Sequence, residues 1–356
     1  MLIVDAHLDM AYGALRFDRD LRRSVQEIRA YEGNGSGNLE GIITVTVPQL
    51  LEGGVGLVFG TLFAMPQFAN KMLPNNRRLV YTNADEAYLV AGEQLDYYRR
   101  LVDELDRLRL VTDRQTLEEV IASHDEEEGP GEPLLGIVPL MEGADPVRDP
   151  LELEEWVARG VRIIGPAWLD TRYAHGSGSN EGFTKEGFEL LEVMADLGFV
   201  LDITHMSDKA VFEALDRYEG QIIASHSNAR ALVPHPRHLD DDQIRRLAER
   251  DGVAGIVLFN KFLKADYTAT DPKESVTLEH VVAHIDHICQ LVGDAAHVGI
   301  GSDMDGGFGL NETPAELDSS ADLPRLAPHL AERGYSSEDI AAIMGLNWIE
   351  RLRRVL

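Results

Sequence analysis

Eight short runs rich in Val, Ile and Leu recur along the chain, and helical periodicity separates most of them. They are LIVDAHLD (2–9), GVGLVFGTLFA (54–64), PLLGIVPLMEG (133–143), VRIIGPAW (161–168), FVLDITH (199–205), QIIASHS (221–227), GVAGIVLF (252–259) and HVGIGSD (297–303). Near-continuous apolar runs describe strands covered on both faces, and their alternation with helices describes a parallel sheet. The pattern predicts a (β/α)8 TIM barrel. At roughly 100–200 residues per domain, a chain of 356 residues would hold two or three, but such barrels routinely exceed that range as one unit. A single domain over 1–356 is therefore expected. A doubly wound open sheet would carry a glycine-rich phosphate loop after its first strand, and DAHLDMAYG has none.

The interval from Ala64 to Pro133 is too long for one crossover, so an extra helical excursion is expected between the second and third strands. It includes an amphipathic helix near 84–109, placed to wall the barrel mouth. Further helices are expected at LELEEWVARG, KEGFELLEVMADLG and DDDQIRRLAERDG, the last two stopped by glycine. EGNGSGNLEG (32–41) and DEEEGPGE (125–132) read as surface loops rather than phosphate or metal sites.

Charge narrows the partners. With 33 basic and 61 acidic residues the net charge is −28, which opposes nucleic-acid binding and repels anionic membranes. The single cysteine, Cys289, lies in the helical stretch HIDHICQLVG and reads as a buried small hydrophobe, which excludes zinc ribbons and thiol redox pairs. The opening MLIVDAHLDM carries Asp5 and Asp9 where a signal peptide would be apolar, and no segment reaches the ~18 apolar residues of a membrane span. A cytoplasmic location is expected.

In such barrels the active site lies at the C-terminal ends of the strands. Five ends carry residue types that ligate metals: His7 and Asp9 on the first, Glu142 on the third, His205 on the fifth, His226 on the sixth and Asp303 on the eighth. Residues two apart on a strand share a face, so His7 and Asp9 converge. Imidazoles and carboxylates without thiolates suit zinc, with manganese, cobalt or iron as substitutes. Six candidates exceed one tetrahedral ion, and a carboxylate bridging two ions accounts for the excess, with Glu142 the best placed. His280, His284 and His287 fall at helical spacing, but barrel helices pack away from the chemistry, so a structural role is favoured. Ser225 beside His226 lacks the base and orienting group of a nucleophilic serine.

Taken together, DAHLDM (5–10), MEG (141–143), DITHMS (202–207), ASHSNAR (224–230) and GSDMDG (301–306) resemble the renal-type membrane dipeptidases, the M19 metallopeptidases of the amidohydrolase superfamily. The motifs span nearly the whole chain in the family's order. The resemblance implies that His7, Asp9 and bridging Glu142 hold one zinc and that Glu142, His205 and His226 hold the other. It implies that Asp303 is the catalytic acid/base and that Arg237, eleven residues after His226, binds the substrate carboxylate, with Arg230 as the nearer alternative. Where better-known members have a histidine after strand four, this chain has Trp168, a departure that bears on dipeptide specificity. His175 reaches the same space if its loop folds inward.

The expected chemistry is amide hydrolysis in short peptides with a free C-terminal carboxylate, L,D-dipeptides included, by a metal-bridging hydroxide. Two ions, two anionic ligands, the hydroxide and Asp303 leave the centre near neutral, so a separate cation such as Arg237 is needed to hold a carboxylate. The same centre suits N-acyl amino acids, lactones or cyclic amides, and a metal-binding scaffold without turnover is the alternative of another class. Expected partners are therefore a small peptide or N-acyl amino acid, with neither nucleic acid nor membrane, and a homodimer remains open.

Overall fold

The computed structural model describes residues 1–33, 41–71, 79–125 and 131–356. The loops expected at 32–41 and 125–132 fall largely outside the described residues.

The eight apolar runs each contribute one strand to a parallel sheet: β1 (Ile3–Leu8), β2 (Val55–Phe63), β3 (Leu135–Glu142), β4 (Ile163–Gly165), β5 (Val200–Asp202), β6 (Ile222–Ile223), β7 (Ala254–Ile256) and β8 (Val298–Ile300). Their order around the sheet is β7-β8-β1-β2-β3-β4-β5-β6. A parallel bridge between Ala224 and Ala254 joins the two ends of that row, so the sheet curls into the expected barrel. Closure needs close backbone approach. A Cβ built on Gly255 or Gly301 would fall 1.9 or 1.8 Å from the Ser225 carbonyl oxygen, so a side chain at either position would hold the strands apart.

Every residue of β1, β2 and β3 is buried, which is why these strands read as continuous apolar runs rather than alternating ones. The later strands are shorter than their runs. Apolarity reports burial, whereas ladder bonds stop where the chain turns toward the barrel mouth. His205, His226 and Asp303 consequently lie just beyond their strands, in the loops that form that mouth.

The excursion after β2 is present and more varied than the sequence suggests. It contains a two-stranded parallel pair (Met65–Pro66 and Val80–Tyr81), a helix at Ala84–Glu104, a ninth strand at Leu108–Leu110 and a helix at Arg114–Ala122. The long helix therefore ends at Glu104, not near residue 109. The segment beyond it pairs with the N-terminal half of β3 instead, Leu108 against Leu135 and Leu110 against Ile137. Helix starts are strongly specified: the Asn83 side chain caps the long helix, and Asp240 forms a reciprocal capping box with Gln243 on the helix Asp241–Glu249. Such caps typically contribute about 1 kcal/mol each. Gly198 (φ 72°) follows the helix Lys185–Asp196 as expected, but after Asp241–Glu249 the left-handed residue is Asp251 (φ 54°), not Gly252.

Candidate metal centre

The barrel mouth gathers all six candidate ligands. Glu142 Oε1 lies 3.0 Å from His205 Nε2, 3.6 Å from His7 Nε2 and 3.7 Å from His226 Nε2. His7 Nε2 is also 3.9 Å from Asp303 Oδ1. Three overlapping sets have ligand atoms within 4.8 Å of one another: His7, Asp9 and Glu142; Glu142, His205 and His226; and His7, His226 and Asp303. Glu142 is common to the first two. A fourth set, Glu279, His329 and Glu332, lies on exposed helix surface, where Arg333 already pairs with Glu279.

The donor chemistry fits divalent ions. His7 Nε2 is buried with no hydrogen-bond partner, and His205 Nε2 and His226 Nε2 face each other at 3.0 Å. Buried polar atoms are rarely left so. A cation with a preference for nitrogen and oxygen donors would give His7 Nε2 the partner it lacks.

Electrostatics divide the six groups. Burial alone would lower the pKa of His7, but Glu142, Asp9 and Asp303 outweigh it and raise it to about 10. Burial also acts to raise Glu142, yet the adjacent histidines hold its carboxyl below the usual range. His205 falls to about 4 through burial and the charge of Arg237, and His226 falls well below its ordinary value for the same two reasons with His7 added. Asp9 rises to about 6 through burial and the charge of Glu142. Asp303 rises well above the usual carboxylate range, chiefly through burial, with Asp9 and Glu142 adding to it.

The backbone is bent to present these groups. His205 (φ 68°), Asp303 (φ 58°) and Asp305 (φ 66°) adopt the left-handed conformation, which non-glycine residues seldom take. Each is held there by its surroundings. The His205 carbonyl accepts from Ser177 N and Oγ at 2.7 and 2.9 Å, and the Asp303 N–H donates to the His7 carbonyl at 3.2 Å. Asp305 accepts from Thr44 and Val45 backbone N–H groups, which ties the segment after residue 41 to the same loop. Asp5 accepts from Ser302 N at 2.8 Å and Oγ at 2.5 Å, locking β1 to the end of β8, and Thr61 Oγ1 donates to Asp9. Ser225 is not exposed to substrate. Its hydroxyl sits behind the imidazoles, 2.9 Å from His226 Nδ1 and 3.3 Å from His7 Nδ1. Asp5, Thr61, Asp202, Ser225 and Asp305 carry no ligand motif of their own, so the sequence does not single them out for this role.

Arg237 is half-buried against the cluster, donating from Nη2 to the His226 carbonyl while its buried Nη1 has no partner. It makes no surface pair with the acids at 240–242. Arg230 holds that position, its guanidinium against Asp208 at 2.6 Å and Asp240 at 3.9 Å. The Trp168 ring packs 4.8 Å from Phe63 and 6.2 Å from His205, at the edge of the mouth. The loop after it does fold inward, bridging Gly176 to Met206. The His175 imidazole nevertheless pairs with Asp170 at 3.3 Å and joins none of the metal sets, because its backbone is fixed on both sides by Gly182 and Ser207. His280 closes the helix Leu278–Val292 against Thr277, His284 is buried and His287 pairs with Asp241, so none of the three belongs to a metal set among the described residues.

The family model for membrane dipeptidases, peptidase family M19, matches residues 1–355. The chain belongs to this family. A protein from the pqqA 5′ region of Klebsiella pneumoniae is 35% identical over 216 residues, covering 57% of this chain and 76% of its own. Dipeptidase tcpJ of Claviceps purpurea is 35% identical over 201 residues, covering 55% of this chain but 45% of the fungal protein. The fold matches a metallopeptidase from Rhodobacter sphaeroides solved with a phosphinate mimic of the dipeptide L-Ala-D-Ala, with a TM-score of 0.78 at 24% identity over 100% of this chain and 99% of that one. As an M19 family member the chain is a metal-dependent dipeptidase. No helix of the described residues is long and apolar enough to cross a membrane.

Proposed function

We propose that the chain is a binuclear zinc dipeptidase for short peptides with a free C-terminal carboxylate. The observation that carries this reading is Arg237, a half-buried guanidinium beside the candidate metal ligands with one buried nitrogen left without an acceptor. A carboxylate placed there would meet a planar, permanently charged donor. Glu142 is shared by the sets His7–Asp9 and His205–His226, which supports two ions rather than one. When bound, such ions supply Lewis acidity that makes a water nucleophilic at neutral pH and draws charge from the scissile carbonyl.

The remaining work falls to side chains of this chain. Asp303 faces the cluster with a raised proton affinity, as suits a group that takes a proton from the attacking water and returns it to the leaving amine. Arg237 orients the substrate by its C-terminal end. Phe63 and Trp168 supply an aromatic wall near His205. That wall also favours a second reading, hydrolysis of N-acyl amino acids, whose carboxylate Arg237 would hold equally well. A scaffold without turnover is disfavoured by the complete set of ligands together with Asp303. The single cysteine, buried and free, accords with a cytoplasmic enzyme.

Metal analysis combined with a substrate panel tests the proposal. The panel contains L,L-dipeptides, L,D-dipeptides, C-amidated dipeptides and N-acyl amino acids, with L-Ala-D-Ala first because the R. sphaeroides structure holds its mimic. Two zinc ions per chain with turnover of free-acid dipeptides is the expected result. One ion per chain, or preferential turnover of the amidated peptides, overturns it.

A further inference from the structure

Ser225 occupies a place that neither the ligand set nor the acid/base role of Asp303 accounts for. Its hydroxyl is fully buried at the end of β6, between the Asp202 carboxylate and two imidazoles. Asp202 Oδ1 accepts from the backbone N–H groups of Ser225 at 2.9 Å and Thr204 at 3.1 Å, which fixes the carboxylate's orientation. Its Oδ2 is thereby aimed at Ser225 Oγ, 2.5 Å away. An ionised carboxylate can only accept, so the single hydroxyl proton points at Asp202. Two lone pairs remain on Oγ. The nearest nitrogens are His226 Nδ1 at 2.9 Å and His7 Nδ1 at 3.3 Å, with Thr204 Oγ1 farther off at 3.4 Å. Each imidazole can satisfy this geometry only by donating from Nδ1.

We infer that Asp202 and Ser225 form one positioning unit that holds the Nδ1 proton of both His7 and His226, so that Nε2 is the nitrogen each ring offers to one of two ion positions. His7 offers it once its second proton is shed. The inference rests on the proposed two-ion centre. His7 belongs to the set with Asp9 and His226 to the set with His205, while both also meet Asp303 in a third set, so with one ion in each of the first two a single hydroxyl serves both. Metal-ligating histidines generally donate their other N–H to an oxygen partner, and loss of that partner typically weakens metal binding about 10- to 100-fold. Here a single partner is shared. The two rings, 3.6 Å apart at their centroids, are close enough to be held from one point.

The polarity of the unit gives a specific test. In Asp202→Asn the two backbone N–H groups keep the amide oxygen where Oδ1 is, so the NH2 group faces Ser225. The hydroxyl then accepts from the amide and turns its one proton to the nearer histidine nitrogen, His226 Nδ1 at 2.9 Å against 3.3 Å for His7, which moves the His226 proton to Nε2. Two variants are measured in the full chain, Ser225→Ala, which only removes an atom, and the isosteric Asp202→Asn. Zinc affinity is read by competition with a chelator, and the His226 tautomer by 15N NMR of the metal-free protein at neutral pH.

The expected result is an Nδ1–H tautomer for His226 in the parent chain, a shift toward Nε2–H in Asp202→Asn, and ~10- to 100-fold weaker zinc binding in both variants, at both ions in Ser225→Ala. Unchanged affinity in both variants, or an Nε2–H tautomer in the parent, overturns the inference. Zinc binding without dipeptide turnover would defeat the proposed function and leave this inference standing. A parent chain that binds only one ion would defeat the two-ion premise and with it the shared role.

Discussion

Arg237 donates from Nη2 to the backbone oxygen of His226 at 3.2 Å, so the guanidinium is anchored to the same residue whose ring joins the metal sets. Burial lowers the arginine's pKa, while Asp303 and Glu142 act in the opposite direction. A cation with a buried, unused nitrogen is costly, and a bound anion would offset that cost. Arg237→Met is therefore expected to lower kcat/KM for a free-acid dipeptide by ~2–3 kcal/mol, the scale of hydrogen bonds to charged groups. The C-amidated analogue should lose far less. Parallel kinetics on the two substrates check this, and equal losses would reduce Arg237 to a packing role.

Glu142 presents one oxygen to three histidine nitrogens, at 3.0, 3.6 and 3.7 Å. Glu142→Gln keeps the shape but replaces the anion with a neutral amide, a poor bridge between cations. Both ions should be lost or weakened together, with the stoichiometry by elemental analysis falling well below that of the parent chain. Loss of one ion alone would place the bridge elsewhere.

The cluster of candidate ligands is legible in the sequence because its logic is local. A polar residue ending an apolar run is conspicuous, and His7 and Asp9 share a face by strand alternation, so each ligand could be placed before any tertiary contact was known. The Asp202–Ser225 contact was not readable, because it depends on two neighbouring strands whose relative register no local pattern specifies. The left-handed turns at His205 and Asp303 are not legible either, since no glycine marks them. The strand Leu108–Leu110 reads as the end of the preceding helix because three residues are too few to show alternation. His175 shows the converse limit: its loop moves inward as the sequence allows, but the ring's direction is decided by Asp170.

Asp303 lies within reach of His7 and His226 as a candidate ligand, on backbone turned left-handed just beyond β8. The acid/base role and the ligand role make opposite forecasts for Asp303→Asn. If it moves protons, kcat falls by about 10² or more while metal content is unchanged, in line with the usual contribution of general acid-base catalysis. If it is mainly a ligand, metal is lost. Zinc content and kcat measured on one sample of the variant separate the two, and retained metal with reduced kcat is expected.

The raised pKa of His7 makes metal loading a proton-releasing step. In the metal-free chain its imidazole stays protonated up to about pH 10, because the surrounding carboxylates outweigh the effect of burial. A ligand must shed that proton, so at pH 7 uptake of metal should release at least one proton, and below about pH 6 Asp9 should add to the release. Folding stability carries the matching sign. A histidine whose folded pKa exceeds its unfolded value of about 6.5 stabilises the metal-free fold fully below that pH, and the contribution is lost as pH rises toward 10. The metal-free Tm should therefore fall between pH 7 and 10, and the gain in Tm on adding zinc should widen over the same interval. Calorimetric titration in buffers of different ionisation enthalpy counts the protons, and thermal melts with and without zinc give the second measure. A zinc affinity that stays flat from pH 7 to 9, with no proton released, would mean that His7 is neutral before the metal arrives.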